Sequence, residues 1–242
     1  MANINSKNIT TGRIANVIFR SLNGKQIVQA HPGKLKQTKA TKASSSEFRQ
    51  CSSWAKQLRL GLSPFLVNLT DSYMYRRFTG QFYNAILSNT ELPKGQRSPL
   101  TANMKSLEGF EFNSHSPFSH YFAPKITATL DPERQIMVSV PAFEAKKQLV
   151  FPQQAPMAEL VLLVYATNFD ESQAPIETFF SLTIAPNTIL PNATVWTCPP
   201  LPEGYFVTVT AKLLYYSINK FTGKNYSNSK TLNPAAIVFC GN

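Results

Sequence analysis

The chain reads as a mainly β protein with an α-helical N-terminal part, an α+β arrangement that ends in a β-sandwich. Three observations predict this. Two apolar stripes at helical spacing fall between residues 44 and 88. Seven strand-like runs, parted by Pro, Asn and Gly turns, fall after residue 118. An Asn-Gly dipeptide between two short β runs marks a hairpin near the start.

The hairpin comes first. Residues 15–20 and 26–30 are short β runs joined through Leu22-Asn23-Gly24-Lys25. Asn-Gly accepts the positive φ angles of a type I′ turn, whose twist matches that of paired strands. A lone hairpin is marginally stable in water, so it must pack on the rest of the chain or on a neighbouring subunit. After His31-Pro32-Gly33 comes a basic connector with lysines at 34, 36, 39 and 42. Their spacing makes no helical stripe. The segment reads either as a solvated linker or as an arm that contacts a polyanion.

Ser44 to Glu47 then forms a capping box, with the acid three residues after a Ser. Phe48, Cys51, Ala55, Leu58 and Leu62 follow at spacings of three and four, and Gly61 is placed to cap the C-terminus. Pro64 opens a link, and Asp71 is placed to cap a second helix over residues 72–88. Its apolar face is Met74, Phe78, Phe82, Ala85 and Ile86. Trp54 and the Tyr and Phe residues here follow the core periodicity rather than that of a base-stacking platform. Residues 91–117 are irregular, with one candidate strand over 107–112.

The seven later strands are expected at residues 126–130, 135–140, 159–167, 177–184, 193–197, 205–217 and 235–240. Seven short strands at this spacing predict an immunoglobulin-like β-sandwich, without the Cys…Trp…Cys spacing of a true immunoglobulin domain. Residues 205–212 alternate cleanly. Leu160-Val-Leu-Leu-Val-Tyr is continuously apolar, as a central strand buried on both faces would be. The expected organisation is therefore a hairpin over 1–33, a connector and two helices over 34–90, a bridge over 91–117 and a separately folding sandwich over 118–242.

Charge divides the chain unequally. Residues 1–60 hold eleven Lys/Arg against the single acid Glu47, a net of +10, while residues 126–242 hold seven bases and eight acids. A basic head thus precedes a near-neutral body, and a polyanion, an acidic protein surface or an acidic patch on another copy is its natural partner. Charged residues make up only 15% of the 242, below the roughly 25% usual for globular proteins, which suits permanent packing against other subunits. The N-terminus shows no apolar secretory core and no run long enough to span a membrane, so the cytoplasm or an assembled particle is the expected location. The three cysteines include no CxxC. Cys198 and Cys240 fall in the same β region, and free thiols are expected without export. The sequons at Asn8, Asn68, Asn192 and Asn225 read as composition.

No catalytic constellation emerges, and no cofactor or metal is expected. His115 and His120 with Glu108 or Glu111 fit no zinc spacing, and Pro117 interrupts them. Cys51 has no local histidine for Cys-His chemistry. Asp131 and Glu133 belong to a turn. GxSxG, P-loop and GxGxxG motifs are absent from the sequence.

Gly12-Arg13-Ile14-Ala15-Asn16-Val17, running through Gly24-Lys25-Gln26-Ile27-Val28, brings a resemblance into view. With the basic connector, the polar start of the helix and the Leu-Val-Tyr-Ala strand, the chain resembles an uncharacterised Bacteroidetes family known as a domain of unknown function. In that family the hairpin reads closer to Gly-Lys-x-Gly-Asn-Val, and here Ala15 replaces the second glycine. The resemblance implies a bacterial or phage-related origin and brings no activity or catalytic residues.

The leading functional expectation is a non-enzymatic structural subunit that assembles with copies of itself into a filament, tube or phage-like particle. The hairpin residues Val17, Phe19, Asn23, Gly24 and Ile27 are its expected assembly edge. The alternative is a nonspecific nucleic-acid-binding protein. Arg13, Arg20, Lys25, Lys34, Lys36, Lys39, Lys42, Arg49, Lys56, Arg59, Arg76 and Arg77 are the candidates for contact with a polyanion or a subunit. An enzyme acting on carbohydrate is the weakest reading, for want of paired carboxylates. The charge is expected to serve subunit contacts, so that assembly weakens as salt rises.

Overall fold

A computed structural model of the chain describes residues 2–4, 9–33, 36–153 and 155–242. With 37% of residues in strands and 23% in helices, the protein is mainly β. It divides into two compact units, Met1–Lys42 and Ala43–Asn242.

The first unit is a four-stranded antiparallel meander in sequence order. Its strands are β1 (Ala2–Ile4), β2 (Thr10–Ile14), β3 (Val17–Leu22) and β4 (Lys25–Ala30). The expected hairpin is β3–β4. Asn23 and Gly24 take φ of 50° and 75° between them, as a type I′ turn requires. The two-residue turn between β2 and β3 puts Ala15 at φ 49°, which costs a non-glycine residue some strain.

Helix α1 (Lys39–Leu66) starts earlier and ends later than its sequence suggests. Thr38 caps it, with its Oγ1 accepting from Thr41 N at 3.1 Å, so Ser44 lies inside the helix. The core stripe is Glu47, Cys51, Ala55, Leu58, Leu62 and Leu66. Phe48 is instead half exposed, its ring edge-on to Tyr83. Glu47 serves the core rather than the cap: it accepts from Gly95 N at 3.2 Å and lies 3.8 Å from Arg97. Gly61 does not end the helix. A Cβ there would sit 2.0 Å from the Tyr165 hydroxyl, so glycine is what lets α1 lie this close to the sheet. The helix continues through Pro64 and stops where Val67 and Asn68 turn to positive φ.

Helix α2 (Met74–Leu87) buries the five apolar residues expected of it. Asp71 Oδ1 accepts from Tyr73 N just before its first turn. The candidate strand over 107–112 is a 3-10 turn, Met104–Leu107, followed by a single bridge from Glu111 to Ala236.

All seven later strands are present. They are β5 (Thr127–Leu130), β6 (Ile136–Val140), β8 (Met157–Thr167), β9 (Ile176–Ile184), β11 (Thr194–Thr197), β12 (Phe206–Asn219) and β14 (Ala235–Gly241). Three short ones join them: β7 (Phe143–Glu144), β10 (Ile189–Leu190) and β13 (Gly223–Tyr226). One sheet runs β11-β6-β5. The larger runs β9-β8-β12, and the far side of β12 is shared between β14 and β13. Strands β8 and β12 pair over eleven residues, from Thr167–Phe206 to Met157–Tyr216.

Alternation along this pair feeds two cores. Leu160, Leu162, Val164, Val207, Val209 and Leu213 meet Ile136, Val138 and Val140 of the smaller sheet. Leu163, Tyr165, Phe206 and Ile237 meet Cys51, Leu58 and Leu62 of α1 and Phe78 and Phe82 of α2. The continuously apolar run at Leu160 is therefore a strand buried on both faces, as expected. The proposed boundary at residue 118 falls inside this shared core: helices and sandwich belong to one unit. Cys198 and Cys240 are free and lie in opposite cores.

Candidate assembly and polyanion interface

The meander has no core of its own. Among the described residues, none of positions 1–42 joins either apolar cluster. Residues directly opposite in a sheet share a face, so the register sorts its side chains. Gly12 pairs with Phe19, Ile14 with Val17, Phe19 with Val28 and Val17 with Ala30, while Ile4 joins them through Thr10. Among the described residues, one face therefore carries Ile4, Ile14, Val17, Phe19, Val28 and Ala30 and no charge. Arg13 pairs with Ile18, Arg20 with Ile27 and Leu22 with Lys25. The other face carries Arg13, Arg20 and Lys25 around Ile18, Leu22 and Ile27.

The apolar face is open within this chain's own sheet. Ile4 is 69% exposed, Ile14 55% and Val28 59%. Burying a side chain of this size completely contributes roughly 1.5–3 kcal/mol. Residues 1–42 hold eight Lys/Arg and no acid, a net of +8 out of the chain's +11. Sequence reasoning placed Val17, Phe19 and Ile27 on one assembly edge. In the structure Val17 and Phe19 lie on an interior strand, and Ile27 lies on the opposite face from both. The outer strands are β1 and β4. The missing signal was register: Val17-Ile18-Phe19-Arg20 does not alternate, and only the pairing with β2 and β4 separates its two faces.

The basic candidates divide between the units. Arg13, Arg20, Lys25, Lys36, Lys39 and Lys42 are exposed in the first. Lys39 and Lys42 stand in the opening turns of α1 rather than in a connector, and Lys34 lies outside the described residues. In the second unit Arg49 and Lys56 are exposed on α1, and Arg59 is half-buried. Arg76 is exposed and stacks over Tyr73 and Tyr75 at 5.8 and 5.6 Å. Arg77 is not a free contact. It pairs with Asp71, donates to Glu111 O at 3.0 Å and lies over the Phe110 ring. Burial pushes the Asp71 carboxyl up, but hydrogen bonds from Ser114 N, Arg77 and Tyr73 N outweigh it and hold the group below the usual carboxylate range.

The histidine region holds no metal constellation. Glu111 accepts from Phe118 N and Ser119 N at 2.7 and 3.2 Å, and Glu108 accepts from Cys240 N at 3.3 Å. Among the described residues no group of three or more His, Cys, Asp and Glu is placed to hold a metal ion. No described helix is long and apolar enough to cross a membrane. Sequence reasoning passed over Lys212, which is buried on β12. No protein-family model, curated protein or solved structure matches this chain.

Proposed function

We propose that this chain is a non-enzymatic structural subunit that assembles with copies of itself, as in a filament, tube or phage-like particle. The observation that carries the reading is the meander: four paired strands whose described residues give one apolar face without charge and join neither core. The partner that fits is the same face of a second copy. Two units of net charge +8 repel, and packing apolar face to apolar face turns Arg13, Arg20 and Lys25 outward. The sheets then stand about 10 Å apart, near the Debye length of roughly 8 Å at physiological salt, so the repulsion is largely screened. Such assembly tightens as salt rises, because salt screens the repulsion between copies, the reverse of the weakening expected from the sequence.

The magnitudes favour repeated contacts. Ile4, Ile14 and Val28 of both copies, each 55–69% exposed before contact, together contribute roughly 5–11 kcal/mol at most. Association costs about 4–15 kcal/mol in lost freedom. A single pairing is weak, and many together in an ordered polymer hold. The immunoglobulin-like sandwich is part of the proposal. It is supported by seven main strands in two antiparallel sheets, β11-β6-β5 opposite β9-β8-β12-β14, joined through one core.

The test is sedimentation of the full chain beside the variant Ile14→Lys/Val28→Lys. The full chain is expected to form larger species that grow with salt, and the variant to stay small with the same melting temperature. Equal assembly of the two would remove the apolar face from the account. A second reading, nonspecific binding of nucleic acid, is favoured by the convergence of Arg13, Arg20 and Lys25 on one face. The two are compatible where a particle encloses a polyanion.

A further inference from the structure

Lys212 is 2% exposed. Its ammonium donates to Phe65 O at 2.9 Å, in the last turn of α1, and lies 5.8 Å from the Phe65 ring. Among the described residues no carboxylate comes within ion-pair distance of it. An ammonium has three donors, and one is used. A buried cation without a counter-ion is costly, and such groups are ordinarily paired.

Beside it opens a cavity of about 330 Å³, lined by Val67, Leu69, Lys212, Leu214, Tyr226 and Asn228. Asn228 is already engaged: its amide donates to Leu213 O and Asn233 Oδ1, and its Oδ1 accepts from Tyr215 N. Lys212 is thus the one charged group on an otherwise mostly apolar wall. Val67 lines the same wall at φ 54°, a conformation that β-branched residues avoid and that collects at ligand sites.

We propose that this cavity binds a small monocarboxylate with an apolar body, its carboxylate paired to Lys212 and its body against Val67, Leu69 and Leu214. The volume lies at the lower end of small-molecule pockets, so the body is of single-ring size. One positive charge selects a monoanion over a dianion, and the apolar wall selects against a strongly hydrated ion such as phosphate. The site is independent of the meander and of assembly.

The test uses the full chain with benzoate, benzyl alcohol and phosphate as probes. Benzoate at about ten times its Kd is expected to raise the melting temperature by about 3 °C. Benzyl alcohol and phosphate should leave it unchanged. Lys212→Met should abolish the benzoate response. No benzoate shift, an equal shift with benzyl alcohol or phosphate, or a response kept in K212M would each overturn the proposal. A second measurement needs no variant: acetylation of Lys212 in the wild-type chain, read by peptide mass spectrometry. Benzoate should slow it by about tenfold at that same concentration. Unchanged labelling would contradict the site even if K212M failed to fold.

Discussion

Residues 1–42 and residues 43–242 are both rich in antiparallel strands, yet they are stabilised differently. The first unit has good turns and clean pairing, and among the described residues none of it joins a core. The second has two cores, one on each side of the β8–β12 pair. Local turn chemistry at Asn23-Gly24 is enough to specify a hairpin, but burial is what stabilises a sheet. The difference shows in charge as well: the first unit carries +8 of the chain's +11. The first unit's apolar side chains gather on one open face beside eight cations and no acid, whereas the second unit buries most of its apolar residues in two cores and leaves others, such as Phe179 and Phe221, exposed.

The comparison breaks most visibly if the second unit is cut. A fragment of residues 118–242 loses α1 and α2 and bares Leu163, Tyr165, Phe206 and Ile237. It is expected to aggregate without a cooperative melt, whereas residues 43–242 melt as the full chain does. Circular dichroism of the two fragments decides it, and a cooperative melt of the shorter one would mean that the helices are dispensable.

Inside the second unit, Gly61→Ala should cost about 3 kcal/mol by overpacking, because the new Cβ meets the Tyr165 ring. Urea unfolding measures this. The cost should shrink in the Tyr165→Leu background, and a cost unchanged by that second substitution would mean another contact is at fault. Gly24→Ala, at φ 75° in the meander turn, strains only the turn and should leave the main unfolding transition in place.

Lys212→Met tests how much strain the second unit tolerates. Burial lowers the Lys212 pKa from 10.5 to about 8, so the group is still a cation at neutral pH. A lysine with a depressed folded-state pKa binds fewer protons folded than unfolded between pH 8 and 10.5. Its penalty is therefore full below pH 8 and fades as pH rises through that window. The full shift is worth roughly 3 kcal/mol. After loss of the Phe65 hydrogen bond, K212M should be about 2 kcal/mol more stable than wild type at pH 7. That advantage should vanish by pH 10.5. Cys51 and Cys240, pushed up to about 12 chiefly by burial, act oppositely and lower stability as pH rises above 9. They are common to both chains, so the difference isolates Lys212. An advantage that grew with pH would contradict the assignment.

Much of the second unit was legible in its sequence. The seven strands and the α2 face followed from periodicity and turn residues, and Leu160-Val-Leu-Leu-Val-Tyr announced a strand buried twice. What was not legible depended on distant partners. Glu47 reads as a capping acid until Gly95 N and Arg97 arrive from 48 and 50 residues away. Gly61 reads as a helix end until Tyr165 is placed beside it. Arg77 reads as exposed until Asp71, Phe110 and Glu111 close around it. In the meander, the Asn-Gly turn was plain, but the separation of Arg13, Arg20 and Lys25 from Ile14, Val17 and Phe19 required β2. That strand's Thr-Thr-Gly-Arg-Ile carries no alternation of its own.

The smallest stability effect belongs to the basic face. Arg13→Gln/Arg20→Gln/Lys25→Gln should change stability by less than about 0.5 kcal/mol, since all three side chains are exposed. If they contact phosphates, the salt slope of DNA binding should fall by about 0.9 per charge, or roughly 2.7. An unchanged slope, measured by fluorescence anisotropy across a salt series, would leave the face without a nucleic-acid role.

The central claim is that residues 1–42 make contacts between copies rather than within the fold. Sedimentation velocity of the full chain beside residues 43–242, with thermal melting of both, tests it directly. The account predicts that the full chain associates with rising concentration and salt, that the truncated chain is a monomer throughout, and that both melt together. A truncated chain that melts much lower, or one that associates as the full chain does, would contradict it.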